Sequence, residues 1–237
     1  MILAAGRGER MRPLTDSTPK PLLKVGGKPL IEWHTDALAK GGFTKLVINT
    51  AWLGEQIPAW FEGSTLSLTW SNEGADFGDA LETAGGIARA LPSLDEVFWV
   101  LAGDVFVPDF EFTQSAVDRF IASGKLAHLW LVPNPAHNTK GDFGLGADGL
   151  ALNLPAASPE PRYTFSTIGL YRQALFDGLP FGNPEGIKAP LAPLLRAAMD
   201  NQQVSAELYE KAWTDVGTPA RLQELNNPPN LLRASHS

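Results

Sequence analysis

The sequence predicts an α/β protein, a mostly parallel sheet with helices on both faces. Three observations predict it. Strand-sized apolar runs alternate with helix-period segments four times over about the first hundred residues. The apolar runs are short and continuous, as in strands buried on both faces. They end in small residues, glycine or aspartate, at the strand ends where such sheets bind ligands.

Taken in order, Met1–Ala4 reads as a short buried strand, and 5–28, rich in Gly, Pro, Arg and Lys, as a long loop. Pro29 serves as a first helical residue, with Leu30, His34, Ala37 and Leu38 on one face and Gly41-Gly42 as the stop. Lys45–Asn49 is a second strand, Glu55–Phe61 a short helix and Leu66–Trp70 a third strand. Leu81–Leu91 is helical and closed by Pro92. Val97–Leu101 is the most hydrophobic strand and stops at Ala102-Gly103-Asp104. The second half is less regular. A helix is expected over Ala116–Ser123 and a strand over Leu126–Val132. Loops, with room for a hairpin, fill 133–161. Tyr163–Tyr171 is a strand, Ala189–Met199 an amphipathic helix, and Trp213–Gly217 precedes a last helix from Pro219. The expected organisation is one domain over 1–225, with halves at about 1–110 and 111–225, and a flexible tail over 226–237.

The chain of 237 residues has no cysteine, which excludes disulfides, thiolate metal sites and a cysteine nucleophile. With no membrane-length apolar run and no signal-peptide core, a cytoplasmic protein is expected. The formal charge of −7 argues against a nucleic-acid binder working by bulk charge. Residues 1–30 depart from that total: six cations against two acids give a local charge of +4. A basic focus on an acidic body suggests a site for a phosphorylated or carboxylated ligand.

Gly6-Arg7-Gly8-Glu9-Arg10-Met11 lacks the third glycine of a dinucleotide fingerprint and the Gly-Lys-Ser/Thr of a Walker loop. What remains is a Gly-x-Gly turn with interleaved arginines, either a phosphate cradle or a solvated surface turn. Lys20, between Pro19 and Pro21, sits in a stiff frame that can aim an ammonium at a phosphate; it also reads as an exposed loop lysine. Asp104 and Asp215 each end an apolar strand. Brought together, two such carboxylates can hold Mg²⁺ while phosphates and waters complete its shell; Asp215 can equally cap the helix that starts at Pro219. The histidines His34, His128, His137 and His236 show no zinc spacing, and His34 reads as packed on a helix face. Trp33, Trp52, Trp60 and Trp70 read as core.

The run Leu3–Thr15, followed by Pro19-Lys20-Pro21-Leu22 and Lys28-Pro29-Leu30-Ile31, resembles the signature of the sugar-1-phosphate nucleotidyltransferases. Leu81–Gly86, Gly103-Asp104 and Trp213–Thr218 continue the likeness in order. The resemblance implies a nucleotide-diphospho-sugar transferase fold with a Rossmann-like nucleotide half and a sugar half. It implies that a nucleoside triphosphate and a sugar 1-phosphate give a nucleotide sugar and pyrophosphate. Carried over by motif, Leu3, Ala4, Ala5, Gly6, Arg7, Gly8, Glu82, Thr83, Gly85 and Gly86 would contact the nucleotide. Arg10 would hold the leaving pyrophosphate, Lys20 the α-phosphate, and Asp104 and Asp215 the Mg²⁺.

Ala51–Ile57, Gly141-Asp142-Phe143, Thr164-Phe165-Ser166 and Lys188–Leu191 resemble a narrower branch, the uridylyltransferases of N-acetylmuramic acid 1-phosphate, which serve peptidoglycan recycling. Guanylyl transfer to mannose 1-phosphate, thymidylyl transfer to glucose 1-phosphate and a catalytically silent nucleotide-sugar sensor are the alternatives. There are departures from the broad pattern: Glu9 stands where Thr is usual, Glu82 where glycine is frequent, and Asn153-Leu154-Pro155 lacks the lysine that contacts the sugar phosphate. A substitute cation is therefore expected in Lys188, or else in Lys140 or Arg162, and Asp142 and Gly144 join these as sugar-phosphate-binding candidates. No nucleic-acid or membrane partner is expected, and the chain is compatible with monomer or dimer.

Overall fold

The computed structural model describes residues 1–155 and 157–227, so the expected tail lies, from residue 228 onward, outside the described residues. The strands are β1 (Ile2–Leu3), β2 (Lys24–Val25), β3 (Lys28–Pro29), β4 (Lys45–Thr50), β5 (Ser67–Asn72), β6 (Val97–Ala102), β7 (Val105–Phe106), β8 (Ala127–Val132), β9 (Phe143–Leu145), β10 (Ala151–Leu152), β11 (Arg162–Arg172), β12 (Val204–Leu208) and β13 (Thr214–Asp215). The helices are α1 (Leu30–Lys40), α2 (Gln56–Trp60), α3 (Glu73–Phe77), α4 (Glu82–Ala90), α5 (Gln114–Ser123), α6 (Leu191–Asp200) and α7 (Pro219–Asn226).

The main sheet runs β10-β9-β11-β6-β1-β4-β5, with β8 on β11 and β12 on β8. Pairing among β6, β1, β4 and β5 is parallel, as the alternation of the first half requires. β1 is only two residues long yet central, with Ile2 opposite both Ile48 and Leu101. The long β11 turns the second half antiparallel, against β6, β8 and β9.

Successive strand residues face opposite sides, and the core divides accordingly. Phe98 and Val100 join Ile87 of α4 and Leu195 of α6 on one face. Trp99 and Leu101 join Ile31 and Leu38 of α1 and Phe120 of α5 on the other. Helices therefore cover both faces. Three local expectations change. Pro29 does not enter α1: with φ −54° and ψ 144° it is the extended residue before it, paired in β3. The loop over 5–28 contains three short 3-10 turns and the β2–β3 hairpin. β12, parallel to β8, and the short α3 are additional elements.

Candidate active site

The carboxyl ends of β1, β4 and β6 open into a cleft of about 240 Å³. Leu3, Ala4, Ala5 and Gly6 form one wall, Ala80, Glu82 and Thr83 another, and Lys20, Pro21, Ala102 and Asp104 a third. Asn49 and Glu73 close its floor. The position follows from topology, since loops leaving the ends of adjacent parallel strands diverge there.

Lys20 is 7% exposed, and its Nζ lies 2.5 Å from Asp104 Oδ2. The proline-framed loop delivers it through a 3-10 turn over Lys20–Leu22, whose Leu23 N–H donates to the Lys20 carbonyl. Asp104 follows β6. The β7–β13 ladder sets Asp215 opposite Val105, and Val216 N–H donates to the Asp104 carbonyl at 3.0 Å. Two acids 111 positions apart in the sequence thus sit one register step apart. Asp215 is held by Arg221 of α7, whose Nη1 reaches Asp215 Oδ2 and its carbonyl at 2.7 Å each, and His137 Nε2 lies 3.3 Å from the same Oδ2. Thr218, not Asp215, caps α7, through a hydrogen bond from Arg221 N–H.

Each carboxylate keeps its Oδ1 free of hydrogen bonds among the described residues. Asp104 lines the phosphate-sized cleft and Asp215 lies one register step from it, an oxygen-donor pair that fits a hard divalent cation, which leaves its other positions to phosphate and water. Among the described residues no cluster of three or more His, Cys, Asp or Glu exists that would suit a metal bound wholly by protein.

The other sequence candidates fall in different places. Gly8 adopts φ +68° and packs against Thr15 and Lys20, so it shapes the turn from outside the cleft lining. Arg7 is not among the residues lining the cleft: its guanidinium lies 3.7 Å from the Trp52 ring centroid and donates to the Thr15 carbonyl and to Asp16. Trp52 is therefore a stacking partner, and Trp60 is 45% exposed, so neither belongs to the expected tryptophan core. Arg10 is exposed and makes no ion pair among the described residues. Gly85 and Gly86 lie inside α4. A Cβ at Gly85 would meet the Ile187 carbonyl, and one at Gly86 would approach Glu73 Oε1 to 2.5 Å, so these glycines serve close packing behind the wall. Glu82, where the family pattern favours glycine, adopts φ +59°.

A second cavity of about 590 Å³ adjoins the first, sharing Leu3, Glu82, Thr83 and Ala102. Phe143, Phe165, Thr167, Tyr171, Pro190 and Leu195 make its largely apolar walls. Thr167 sits in a bulge of β11 at φ +70°, and its buried hydroxyl has no partner among the described residues. Of the sugar-side candidates, Asp142 accepts from Phe165 N–H at 2.8 Å and from Asn138, fastening a loop to β11. Gly144 packs against Leu154. Lys188 pairs with Asp79 at 2.6 Å on the surface, and this hydrogen bond holds the Asp79 carboxyl below its usual range. Arg162 Nε donates to the carbonyl of exposed Lys140. None of these five lines either cavity.

Sequence reasoning missed Asn49, Glu73, Arg221 and Thr167. Asn49, at the end of a recognised strand, was the one with a visible signal.

The chain belongs to the nucleotidyl transferase family, whose model matches residues 1–147. It is 48% identical to the N-acetylmuramate alpha-1-phosphate uridylyltransferase of Neisseria meningitidis, over 94% of this chain and 95% of that one. A Caulobacter vibrioides protein of the same description is 30% identical over 92% of this chain and 91% of its own. A Bacillus anthracis crystal structure, described as a glucose-1-phosphate thymidylyltransferase, matches with a TM-score of 0.73 over 95% of this chain and 92% of that one. At 22% identity that likeness shows the fold. Among the described residues no helix is long and apolar enough to cross a membrane.

Proposed function

We propose that the chain transfers a uridylyl group from UTP to N-acetylmuramic acid 1-phosphate, giving UDP-N-acetylmuramic acid and pyrophosphate, with Mg²⁺ as cofactor and a place in peptidoglycan recycling. The observation that carries this reading is the 48% identity to the Neisseria enzyme along nearly the whole of both chains. The residues 1–225 are taken as one catalytic unit, with about 1–110 holding the nucleotide and 111–225 the sugar.

In the proposed reaction, an oxygen of the sugar phosphate attacks the α-phosphorus of UTP in line as pyrophosphate leaves. The nucleophile is already anionic, so the protein need supply no base; its work is alignment and charge neutralisation. The backbone of Leu3–Gly6 and Glu82–Thr83 encloses the nucleotide. Lys20 meets the α-phosphate, exchanging its Asp104 partner for the ligand, and exposed Arg10 meets the departing pyrophosphate. Asp104 and Asp215 would hold Mg²⁺, whose charge offsets that of the phosphates. The second cavity takes the sugar, with apolar walls suited to its N-acetyl and lactyl methyl groups.

A panel of four nucleoside triphosphates against N-acetylmuramic acid, glucose and mannose 1-phosphates, scored by pyrophosphate release, tests the reading. The expected result is turnover dominated by UTP with N-acetylmuramic acid 1-phosphate. Preference for GTP with mannose 1-phosphate, or dTTP with glucose 1-phosphate, would overturn it.

A further inference from the structure

Glu73 is a carboxylate with 0% exposure at the base of the cleft, and no cation pairs with it among the described residues. Burial raises its pKa, opposed by hydrogen bonds from the Leu81 amide and the Asn49 side chain and by the charge of Arg89. Leaving an acid in such a place is costly unless its oxygens are needed as acceptors. Both are used. Leu81 N–H donates to Oε2 at 2.8 Å, and Asn49 Nδ2 donates to Oε1 at 2.7 Å. Asn49, 3% exposed, accepts from Ala4 N–H at 2.7 Å through its Oδ1.

These bonds form one directed chain. Ala4 N–H can only donate, which fixes Asn49 Oδ1 toward it and Nδ2 toward Glu73; Leu81 N–H donates from the far end. The central group must accept on both sides, which a carboxylate does and an amide does not. The ends of the chain belong to opposite walls of the cleft. Ala4 lies in the Leu3–Gly6 wall, and Leu81 immediately precedes Glu82 and Thr83. Gly86 is part of the same device, because a side chain there would run into Glu73 Oε1 and Asn49 Nδ2.

We propose that Glu73, acting through Asn49 and the Leu81 amide, is a positioning residue that sets the spacing of the two nucleotide-binding walls. The proposal rests on the nucleotidyltransferase reading. Glu73→Gln places an amide N–H against one of two donors and lets one wall drift. Misplacing a wall by a fraction of an ångström is expected to raise KM for UTP about tenfold while KM for the sugar phosphate stays put. A merely structural role would lower kcat through a smaller folded fraction and leave both KM values unchanged.

The decisive variant is the double exchange Asn49→Asp with Glu73→Gln. A carboxylate at position 49 accepts from Ala4 N–H and from the new amide, whose oxygen accepts from Leu81 N–H. Every donor regains an acceptor, and the single buried charge moves by one side chain. Melting temperature and KM for UTP should both return toward wild type, including when Glu73→Gln alone fails to fold. A double variant that folds or binds UTP no better than the single one overturns the proposal, as does wild-type kinetics in Glu73→Gln. Absence of pyrophosphate release by the unaltered chain with every nucleotide would instead defeat the functional reading.

Discussion

The Lys20 ammonium lies 2.5 Å from an Asp104 carboxylate oxygen, joining a proline-framed loop to the end of the central strand β6. The lysine is nearly buried while the aspartate is partly open, so a phosphate entering the cleft meets a cation already in place. Lys20→Met preserves the packed stem and removes the charge. It should lower kcat by about 10³-fold, as loss of a preorganised charge stabilising a transition state does. Circular dichroism should stay unchanged, and kcat within tenfold of wild type contradicts the role.

Thr167 combines a left-handed backbone, uncommon for a β-branched residue, with a buried hydroxyl that has no hydrogen-bond partner among the described residues. Thr167→Gly should stabilise the chain by about 1 kcal/mol through relief of that strain. It should also raise KM for the sugar phosphate about tenfold, the worth of one lost hydrogen bond. Thr167→Ser keeps the hydroxyl and should keep KM. Equal KM values in the two variants would exclude a ligand contact.

Lys188 pairs with Asp79 where both side chains are more than half exposed. Water screens such a pair and it contributes little to stability, so the lysine is free to change partner when an anion binds. Lys188→Ala should leave the melting temperature nearly unchanged and raise KM for the sugar phosphate. Unchanged KM and kcat would discard it as the cation replacing the lysine missing at Asn153-Leu154-Pro155, leaving Lys140 and Arg162 to be tried in turn.

His34 is 1% exposed, and burial lowers its imidazole from 6.5 to about 4. A base that titrates lower in the folded chain than in the unfolded one contributes stability that is complete above pH 6.5 and lost on descent toward pH 4. The loss attributable to it is about 3 kcal/mol. Urea unfolding of wild type and His34→Gln at pH 7 and pH 4.5 measures the difference, and parallel pH profiles would contradict it.

Much of this arrangement was legible in the sequence because it is local. The Leu3–Gly6 run, Lys20, Glu82-Thr83 and Asp104 are each fixed by a strand end or a stiff loop, and the cleft gathers them. What escaped notice depends on contacts between distant segments. Glu73 carries no signal of its own, since nothing near it in the chain reveals that Asn49 and Leu81 will enclose it. Gly85 and Gly86 read as ligand contacts, yet their smallness serves the neighbouring carbonyl and carboxylate. Arg7 reads as a phosphate ligand, and nothing beside it in the chain announces that Trp52, forty-five positions on, gives its guanidinium a face to stack against. β12 follows the polar stretch Asn201-Gln202-Gln203, and only its pairing with β8 makes it a strand.

If Asp104 and Asp215, joined by the β7–β13 ladder, act on one triphosphate together with Lys20, turnover needs both carboxylates. Pyrophosphate release by Asp104→Asn and by Asp215→Asn, measured across a Mg²⁺ series at saturating UTP and N-acetylmuramic acid 1-phosphate, tests it most directly. Asp104→Asn also removes the counter-charge of the nearly buried Lys20, so a stability cost of about 1–3 kcal/mol accompanies an intact fold. Both variants should lose turnover by about 10³-fold or more at every Mg²⁺ concentration. Full activity of either folded variant at ordinary Mg²⁺ would contradict it.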